Sequence, residues 1–376
     1  MIRLGIFGGG QLAQMLTQAA ISLGVEMVIF ERSADSPAGR LTQAEIVGAW
    51  EDPNLLDLFA RQCDLATLEN EFVDATILAS LEARGLPVYP GALTLAVVQD
   101  KLFQKERIAA AGLRVPAFRC VSVPDDLLPI AEDLGWPLLL KTRRNGYDGY
   151  GNVTLYGPSD VLPAWKRLAY GGSPLLAEAF VPFSRELAVM VVRGRNGEAR
   201  AYPVVETVQR HHICHLVRAP AAIPADVAAE ATALALSAVE AVGGVGIFGV
   251  ELFALDNGQI LFNEMAPRPH NSGHYTIEAC VTSQFENHLR AVIGWPLAPT
   301  DLRTPAAVMV NLLGRRAGPV GPDALRAALD VPGTYLHLYG KRESRVGRKM
   351  GHVTALGATL AEAESLALRA ADLVDI

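Results

Sequence analysis

The stretch Gly249-Val250-Glu251-Leu252-Phe253-Ala254-Leu255-Asp256-Asn257-Gly258-Gln259-Ile260-Leu261-Phe262-Asn263-Glu264 reads as two apolar strands joined at Asn-Gly, a strong hairpin signal. With Asn257 and Gly258 as the two turn residues, facing positions sum to a constant and Glu251 falls across from Glu264 on one face. Like charges facing each other across a ladder repel, so the pair calls for a cation. Two carboxylates offer the hard oxygen ligands that suit Mg²⁺ beside nucleotide phosphates. The alternative is an exposed hairpin whose glutamates point to water. The flanking Val, Leu and Phe residues favour a buried pair.

Directly downstream, Met265-Ala266-Pro267-Arg268-Pro269-His270-Asn271-Ser272-Gly273-His274 is dense in polar donors and held extended by its two prolines. Such a segment is unsuited to a core. It reads as a site wall presenting Arg268, His270, Asn271 and Ser272 to an anionic substrate. Upstream, Pro224 to Val242 is an alanine-rich helix, and the strand from Ser184 to Val192 begins an antiparallel pair turning at Asn196-Gly197. Ser283 to Ile293 is a further helix.

A second motif lies earlier. Trp136 to Lys141 is a buried strand ending in lysine, followed by Gly146-Tyr147-Asp148-Gly149-Tyr150-Gly151 and a strand from Val153 to Tyr156. A glycine loop rooted beside a lysine leaves backbone amides free to close over polyphosphate; the alternative is an ordinary glycine-rich hairpin. It is not a Walker A loop, which needs a different order of elements. Leu175 to Val181 is another strand, and Glu178 and Glu186 are placed either to receive an adenine edge and a ribose or as surface charges.

The chain opens with a βαβ unit: a strand over residues 2–8, the turn Gly8-Gly9-Gly10-Gln11-Leu12-Ala13, a helix to Leu23 and a strand from Val25 to Phe30 ending at Glu31. Its glycines let an anion approach the helix N-terminus without saying which anion. Short strands at Glu45 to Gly48, Leu65 to Leu68 and Pro87 to Tyr89 alternate with helices at Asn54 to Gln62 and Thr76 to Arg84. Glu69-Asn70-Glu71 sits at a strand's C-terminal end, where open parallel sheets bind ligands; the alternative is a solvated loop. Gln99 to Ala111 is a charged helix closed by Gly112. After Pro305 the pattern turns to short strands, at Ala307 to Leu312, Tyr335 to Tyr339 and Val353 to Leu356. Between the last two, Lys341, Arg342, Arg345, Arg348 and Lys349 crowd one loop, either solvated or a phosphate clamp.

At 376 residues, half of them hydrophobic, the chain has material for two or three domains. A net charge of −7 argues against nucleic-acid binding, though a local cluster of basic residues still serves small anions. No apolar run approaches a membrane span, and Met1 opens straight into a strand rather than a signal peptide, so a cytoplasmic enzyme is expected. Cys63, Cys120, Cys214 and Cys280 lack metal-ligand spacing and suit a reducing compartment. Cys280, close to the polar wall, reads as a small buried apolar residue before a nucleophile.

Together these pieces resemble the ATP-grasp enzymes and, within them, the N5-carboxyaminoimidazole ribonucleotide synthetase family of purine biosynthesis. The resemblance runs nearly the whole length. It rests on Gly-Gly-Gly-Gln-Leu at 8–12, Gln-Asp-Lys-Leu at 99–102, Asn-Gly-Tyr-Asp-Gly at 145–149, Asn-Glu-Met-Ala-Pro-Arg-Pro-His-Asn-Ser-Gly-His at 263–274, Ser-Gln-Phe-Glu at 283–286 and Gly-Arg-Lys-Met-Gly-His at 347–352. It implies an α/β and α+β ATP-grasp architecture. A doubly wound N-terminal domain would span 1–95, an ATP-grasp domain 96–300 with a lid at about 116–178, and a small β-rich domain 301–376.

The resemblance also implies roles. ATP would lie between two antiparallel sheets, contacted by Lys101, Lys141, the lid residues Gly146, Tyr147, Asp148, Gly149, Tyr150, Gly151 and Asn152, then Glu178, Ala179, Phe180, Val181, Glu186, Gln209, Asn263 and Glu264. Glu251 and Glu264 would bind Mg²⁺. Regular pleating turns Asn263 away from them, so its help there needs a bulge or a water. Arg268, His270 and Asn271 would carry the chemistry of bicarbonate, phosphorylated to carboxyphosphate. The ribonucleotide would be held by Gln11, Glu71, Tyr147, Asp148, Ser272, Lys341, Arg348 and Lys349, and a homodimer is common in relatives. Four positions depart from the family pattern: Ala13 for glycine, Tyr150 and Lys101 for arginine, and Gln209 for histidine. Rival expectations are a nicotinamide-dependent oxidoreductase with Glu31 on the ribose, and a formate-using glycinamide ribonucleotide transformylase.

Overall fold

The computed structural model describes residues 1–146, 151–169, 174–210 and 213–376. Strands β1 (Arg3–Phe7), β2 (Glu26–Glu31), β3 (Ala44–Val47) and β4 (Leu65–Leu68) form a parallel sheet in the order β3-β2-β1-β4. Crossovers are made by α1 (Gln11–Leu23), then α2 (Pro53–Gln62) after β3, the latter capped by Asp52. Alternate residues of the same strands feed two cores. Phe7, Val28 and Phe30 face one side, and Leu4, Ile6, Met27 and Ile29 the other. That is the signature of a sheet covered on both faces. The segment Pro87 to Tyr89 adds only a one-residue bridge, Val88 to Ala66, because Pro87 and Pro90 have no N–H to extend a ladder.

The glycine turn holds its own anions. Gly9 N–H donates to Glu31 at 2.7 Å, while Gly10 and Ala13 N–H donate to Glu69 at 2.9 and 3.0 Å. A Cβ on Gly10 would lie 2.6 Å from Glu69 Oε1, which is why glycine stands there. The anion expected at this helix N-terminus is thus intramolecular, and Glu31 is spent on the turn rather than offered to a ribose.

After α3 (Ala75–Ala83) come α4 (Ala92–Gln99) and α5 (Lys101–Ala110). The charged helix expected from Gln99 starts instead at Lys101, because Asp100 takes the N-cap and accepts from Leu102 N–H at 3.0 Å. A small antiparallel sheet follows, built of β5 (Phe118–Val121), β6 (Leu138–Thr142), β7 (Asn152–Leu155) and β8 (Leu175–Ala179) in the order β5-β8-β6-β7. Helices α6 (Leu127–Leu134) and α7 (Val161–Leu168) cover one face of it.

The large sheet runs β14-β13-β9-β11-β12-β15-β19-β17. Its strands are β9 (Arg185–Arg193), β11 (Val205–Arg210), β12 (Ile213–Ala219), β13 (Gly246–Ala254), β14 (Ile260–Ala266), β15 (Ala306–Leu313), β17 (Thr334–Leu338) and β19 (Lys349–Gly357), with β10 (Ala199–Ala201) paired to β9. The C-terminal strands therefore continue the central sheet, joining it where β12 pairs with β15. The two-residue strands β16 (Gly318–Pro319) and β18 (Glu343–Ser344) pair beside it. Helix α8 (Ala225–Ala241) packs its small residues on β9, β13 and β14, and α11 (Leu360–Leu373) covers β15 and β19. Between the parallel sheet and the large one lie the short α9 (Thr276–Ala279) and α10 (Gln284–Ile293). On α10, buried His288 accepts from Ile247 N–H at 3.1 Å and meets Thr67 Oγ at 2.9 Å, tying β13 to β4.

Candidate active site

The β13–β14 hairpin turns differently from the two-residue loop expected, yet delivers the same pair. Gly258, at φ +83°, closes a three-residue loop, with Leu255 N–H donating to Gln259 O and Gly258 N–H to Leu255 O, both at 2.9 Å. This sets the register one residue off, at Leu252 opposite Phe262. A bulge at Asn263 then restores it, so that Glu251 faces Glu264. The two departures cancel. The same bulge removes Asn263 from regular pleating and leaves its Oδ1 buried without a partner.

Each glutamate keeps about a third of its side chain accessible, 32% and 36%, and both line one cavity. Lys101 Nζ sits on Glu264, and His270 Nε2 lies 3.4 Å from Glu251. Burial and the neighbouring Glu264 charge push the Glu251 carboxyl up, whereas Lys101 holds Glu264 down against burial. Among the described residues no three His, Cys, Asp or Glu side chains gather as a metal cluster. A hard cation that takes most of its ligands from phosphate and water needs no more than two acids and an amide oxygen.

Behind Lys101 lies a charge sandwich. Glu178 of β8 is buried between Lys141 at 2.8 Å and Lys105 at 3.2 Å. Lys105 also donates to Asn263 O at 3.0 Å, so it grips the bulge. Lys105 escapes the motif reading, although it stands one turn beyond Lys101 on the same face of α5. The placement also revises Glu178, whose carboxylate is committed to lysines rather than free for a base or sugar. Ala179, Phe180 and Val181 lie where β8 leaves the small sheet for β9, at the crossing between the two sheets. Farther along, burial raises Glu186, which pairs with Gln209.

The root of the glycine loop is fastened to α5. Arg143 donates to both oxygens of Asp100 at 2.9 and 2.7 Å, and Lys101 N–H donates to Arg143 O at 2.9 Å. Gly151 and Asn152 pair back onto Thr142 and Lys141. The expectations for Tyr147, Asp148, Gly149 and Tyr150 fall outside the described residues.

The polar run after Glu264 is largely buried, contrary to expectation, because its donors are matched inside the protein. Arg268 binds both oxygens of Glu71, the Nη2 bond at 2.8 Å. His270 Nδ1 meets Ser272 Oγ at 2.7 Å, and burial together with Arg268 draws this imidazole down to about 3, so it is neutral. Asn271 exchanges amide bonds with Asn311 of β15 at 2.9 and 2.6 Å. Asn311 carries no motif and is found only through the fold.

These walls enclose a cavity of ≈ 920 Å³. Gln11, Glu71, Lys101, Gly146, Glu251, Glu264, Arg268, His270, Asn271, Lys341, Arg348 and Lys349 line it, joined by Arg143, Arg144 and Arg345. The basic loop is thus brought to the cavity rather than left on an open surface. Lys141, Glu178, Glu186, Gln209, Asn263 and Ser272 stand outside this lining.

Three family models match in order: a ribonucleotide synthetase preATP-grasp domain over residues 1–99, an ATP-grasp domain over 106–285 and a phosphoribosylaminoimidazole carboxylase C-terminal domain over 307–366. An N5-carboxyaminoimidazole ribonucleotide synthase of Synechococcus elongatus is 42% identical over 93% of this chain and 88% of its own. The chain belongs to that synthase family. The family's ATP-grasp fold has a crystal structure from Aspergillus clavatus, in complex with ADP and 5-aminoimidazole ribonucleotide. That structure is 35% identical, with a TM-score of 0.90 over 99% of this chain and 98% of its own. A phosphoribosylaminoimidazole carboxylase of Schizosaccharomyces pombe is 42% identical over 96% of this chain, which spans 66% of that longer protein. A second Aspergillus clavatus structure, of carboxyaminoimidazole ribonucleotide synthase complexed with ATP, is 36% identical with a TM-score of 0.90 over 99% of this chain and 98% of its own. The nicotinamide reading falls with the glycine turn, whose amides are already taken.

Proposed function

We propose that this protein carboxylates 5-aminoimidazole ribonucleotide with bicarbonate at the expense of ATP, releasing N5-carboxyaminoimidazole ribonucleotide, ADP and phosphate. The observation that carries the reading is the cavity itself. Two facing acids with Lys101, the group Arg268, His270 and Asn271, and the basic loop of Lys341, Arg345 and Arg348 all line it together. One cavity that offers metal-binding acids, an anion-binding arginine and a second basic cluster has the groups needed for a nucleotide, a small anion and a phosphorylated sugar at once.

Mg²⁺ would be held by Glu251 and Glu264, aligned by the bulge at Asn263, and would supply positive charge beside the transferring phosphoryl group. Lys101, released from Glu264 as nucleotide enters, brings its ammonium to the phosphates, with Lys141 behind it. Bicarbonate oxygen attacks the γ-phosphorus and ADP leaves, giving carboxyphosphate. Arg268, braced by Glu71, neutralises the anion and orients it. Neutral His270 donates or accepts a hydrogen bond without adding charge. The ribonucleotide amine then takes the carboxyl carbon and phosphate departs. Its own 5′-phosphate is held by Lys341 and Arg348, with Lys349 and Gln11 lining the same cavity, and a closed site limits hydrolysis of the labile acid phosphate.

The test is ADP release measured with bicarbonate and the ribonucleotide each left out in turn. ATP turnover absent with both present under saturating Mg²⁺ sinks the reading. The free thiols of Cys63, Cys120 and Cys280 support a cytoplasmic location, and the same reading carries a homodimer, which sedimentation tests. No described helix is long and apolar enough to cross a membrane.

A further inference from the structure

The Ser-Gln-Phe-Glu motif at 283–286 has no part in the chemistry above, yet its glutamine is fully buried against the catalytic wall. Gln284 Oε1 accepts from His270 N–H at 2.9 Å and its Nε2 donates to His270 O at 2.8 Å. One amide thus takes both main-chain groups of His270, as a neighbouring strand would. Its own N–H is held by Thr276 Oγ at 2.9 Å, and a Cβ on Gly273 would meet Gln284 Oε1 at 2.5 Å. The side chain has no freedom to flip, because a flipped amide would set its NH₂ against the His270 N–H.

With the amide direction fixed, a second consequence follows for His274. Gln284 Nε2 also lies 3.1 Å from His274 Nδ1, so that nitrogen must be an acceptor and the imidazole proton sits on Nε2. His274 is almost fully buried, lines the same cavity as Arg268, His270 and Asn271, and is packed against Phe285, Tyr339 and His352. Burial keeps its imidazole well below the ordinary histidine range, which agrees with a neutral ring.

We infer that His274 presents a fixed Nε2–H to the anion in the middle of the cavity, and that Gln284 is the positioning residue that sets this tautomer and the backbone of His270. The ligand is a small oxyanion, bicarbonate or the carboxyphosphate formed from it, and the inference rests on the reaction proposed above. A preset neutral donor stabilises charge on such an oxygen without competing for the phosphates.

The experiment combines ¹⁵N-histidine NMR with steady-state kinetics on wild type, Gln284→Glu, His274→Gln and His274→Ala. Wild type should show His274 as the Nε2–H form. Gln284→Glu replaces two donors by acceptors and should move the His274 proton to Nδ1 or charge the ring. KM for bicarbonate should rise about ten- to a hundredfold in Gln284→Glu and His274→Ala, the usual size for a lost hydrogen bond to a charged group. KM for ATP should change less than about threefold, and His274→Gln should recover part of the loss. An Nδ1–H form in wild type, or equal losses toward ATP and bicarbonate, overturns the inference. Wild type lacking bicarbonate-dependent ADP release overturns the reaction instead, and the tautomer still decides the role of Gln284.

Discussion

Replacing Glu178 by Gln keeps its shape and removes the carboxylate charge that sits between two lysines. The carboxylate lies 2.8 Å from Lys141 and 3.2 Å from Lys105, whose side chains are 5% and 2% exposed. Deleting one partner of a buried ion pair costs about 3–5 kcal/mol. The protein can limit the damage by shedding a proton. Burial already draws Lys105 down to about 8 from 10.5, even with Glu178 beside it. Keeping a lysine neutral near pH 7.5 costs about 1.4 kcal/mol for each pH unit below its free value, or roughly 4 kcal/mol, so both routes lead to the same loss. The pH dependence has a definite sign. A lysine with a folded value below its unfolded one leaves the unfolded state binding more protons, so stability rises with pH between the two values. For Lys105 in wild type that window runs from about 8 to 10.5; in the variant its lower edge moves below 8. The gap between variant and wild type is therefore widest near pH 6, narrows as the pH climbs to about 8 and is level above it. Urea unfolding across this range measures it. A gap under about 1 kcal/mol at neutral pH, or one that widens toward pH 9, refutes the charge sandwich.

Three further outcomes are expected. Glu251→Gln removes one of two facing acids, so the ligand-free protein should melt no lower than wild type, while stabilisation by Mg·ADP is lost and turnover drops about a hundredfold or more; a normal Mg·ADP shift in differential scanning fluorimetry contradicts this. Arg268→Lys keeps the charge but loses the two-pronged grip on Glu71, and kcat should fall at least tenfold with ATP binding by calorimetry little changed. Cys63 and Cys280, both pushed up to about 12 by burial, should resist a thiol reagent in the native protein and react after unfolding, whereas exposed Cys120 reacts at once. Peptide mass mapping reads the order, and early modification of Cys280 would revive it as a nucleophile.

What the sequence disclosed follows from which interactions are local. The parallel strands and their crossover helices were legible because apolar runs and caps are written within a few residues of each other, as with Asp52 before α2. The facing of Glu251 and Glu264 was legible for a reason only half right. A two-residue turn and an unbroken ladder give the same sum as a three-residue turn and a bulge at Asn263. Partners chosen by the fold were not legible. Asn311 reaches Asn271 only because β15 joins β12, and Glu178 meets two lysines from different elements.

The burial of the polar run shows why composition misled. Residues 263–274 leave the edge of the large sheet with backbone groups that need partners, and the partners are side chains of helices. Gln104 of α5 takes Met265 N–H at 3.0 Å and gives to Met265 O at 3.1 Å. Lys105 takes Asn263 O, and Gln284 repeats the two-way bond at His270. Each glutamine acts as one residue of a missing strand, so the edge is closed by side chains while Arg268, His270 and Asn271 line the cavity. A glutamine on a helix looks solvated in any periodicity count, since the pattern records polarity and not direction. Here the direction is the functional information: two amides, one at Met265 and one at His270, hold the backbone from which the proposed catalytic groups project.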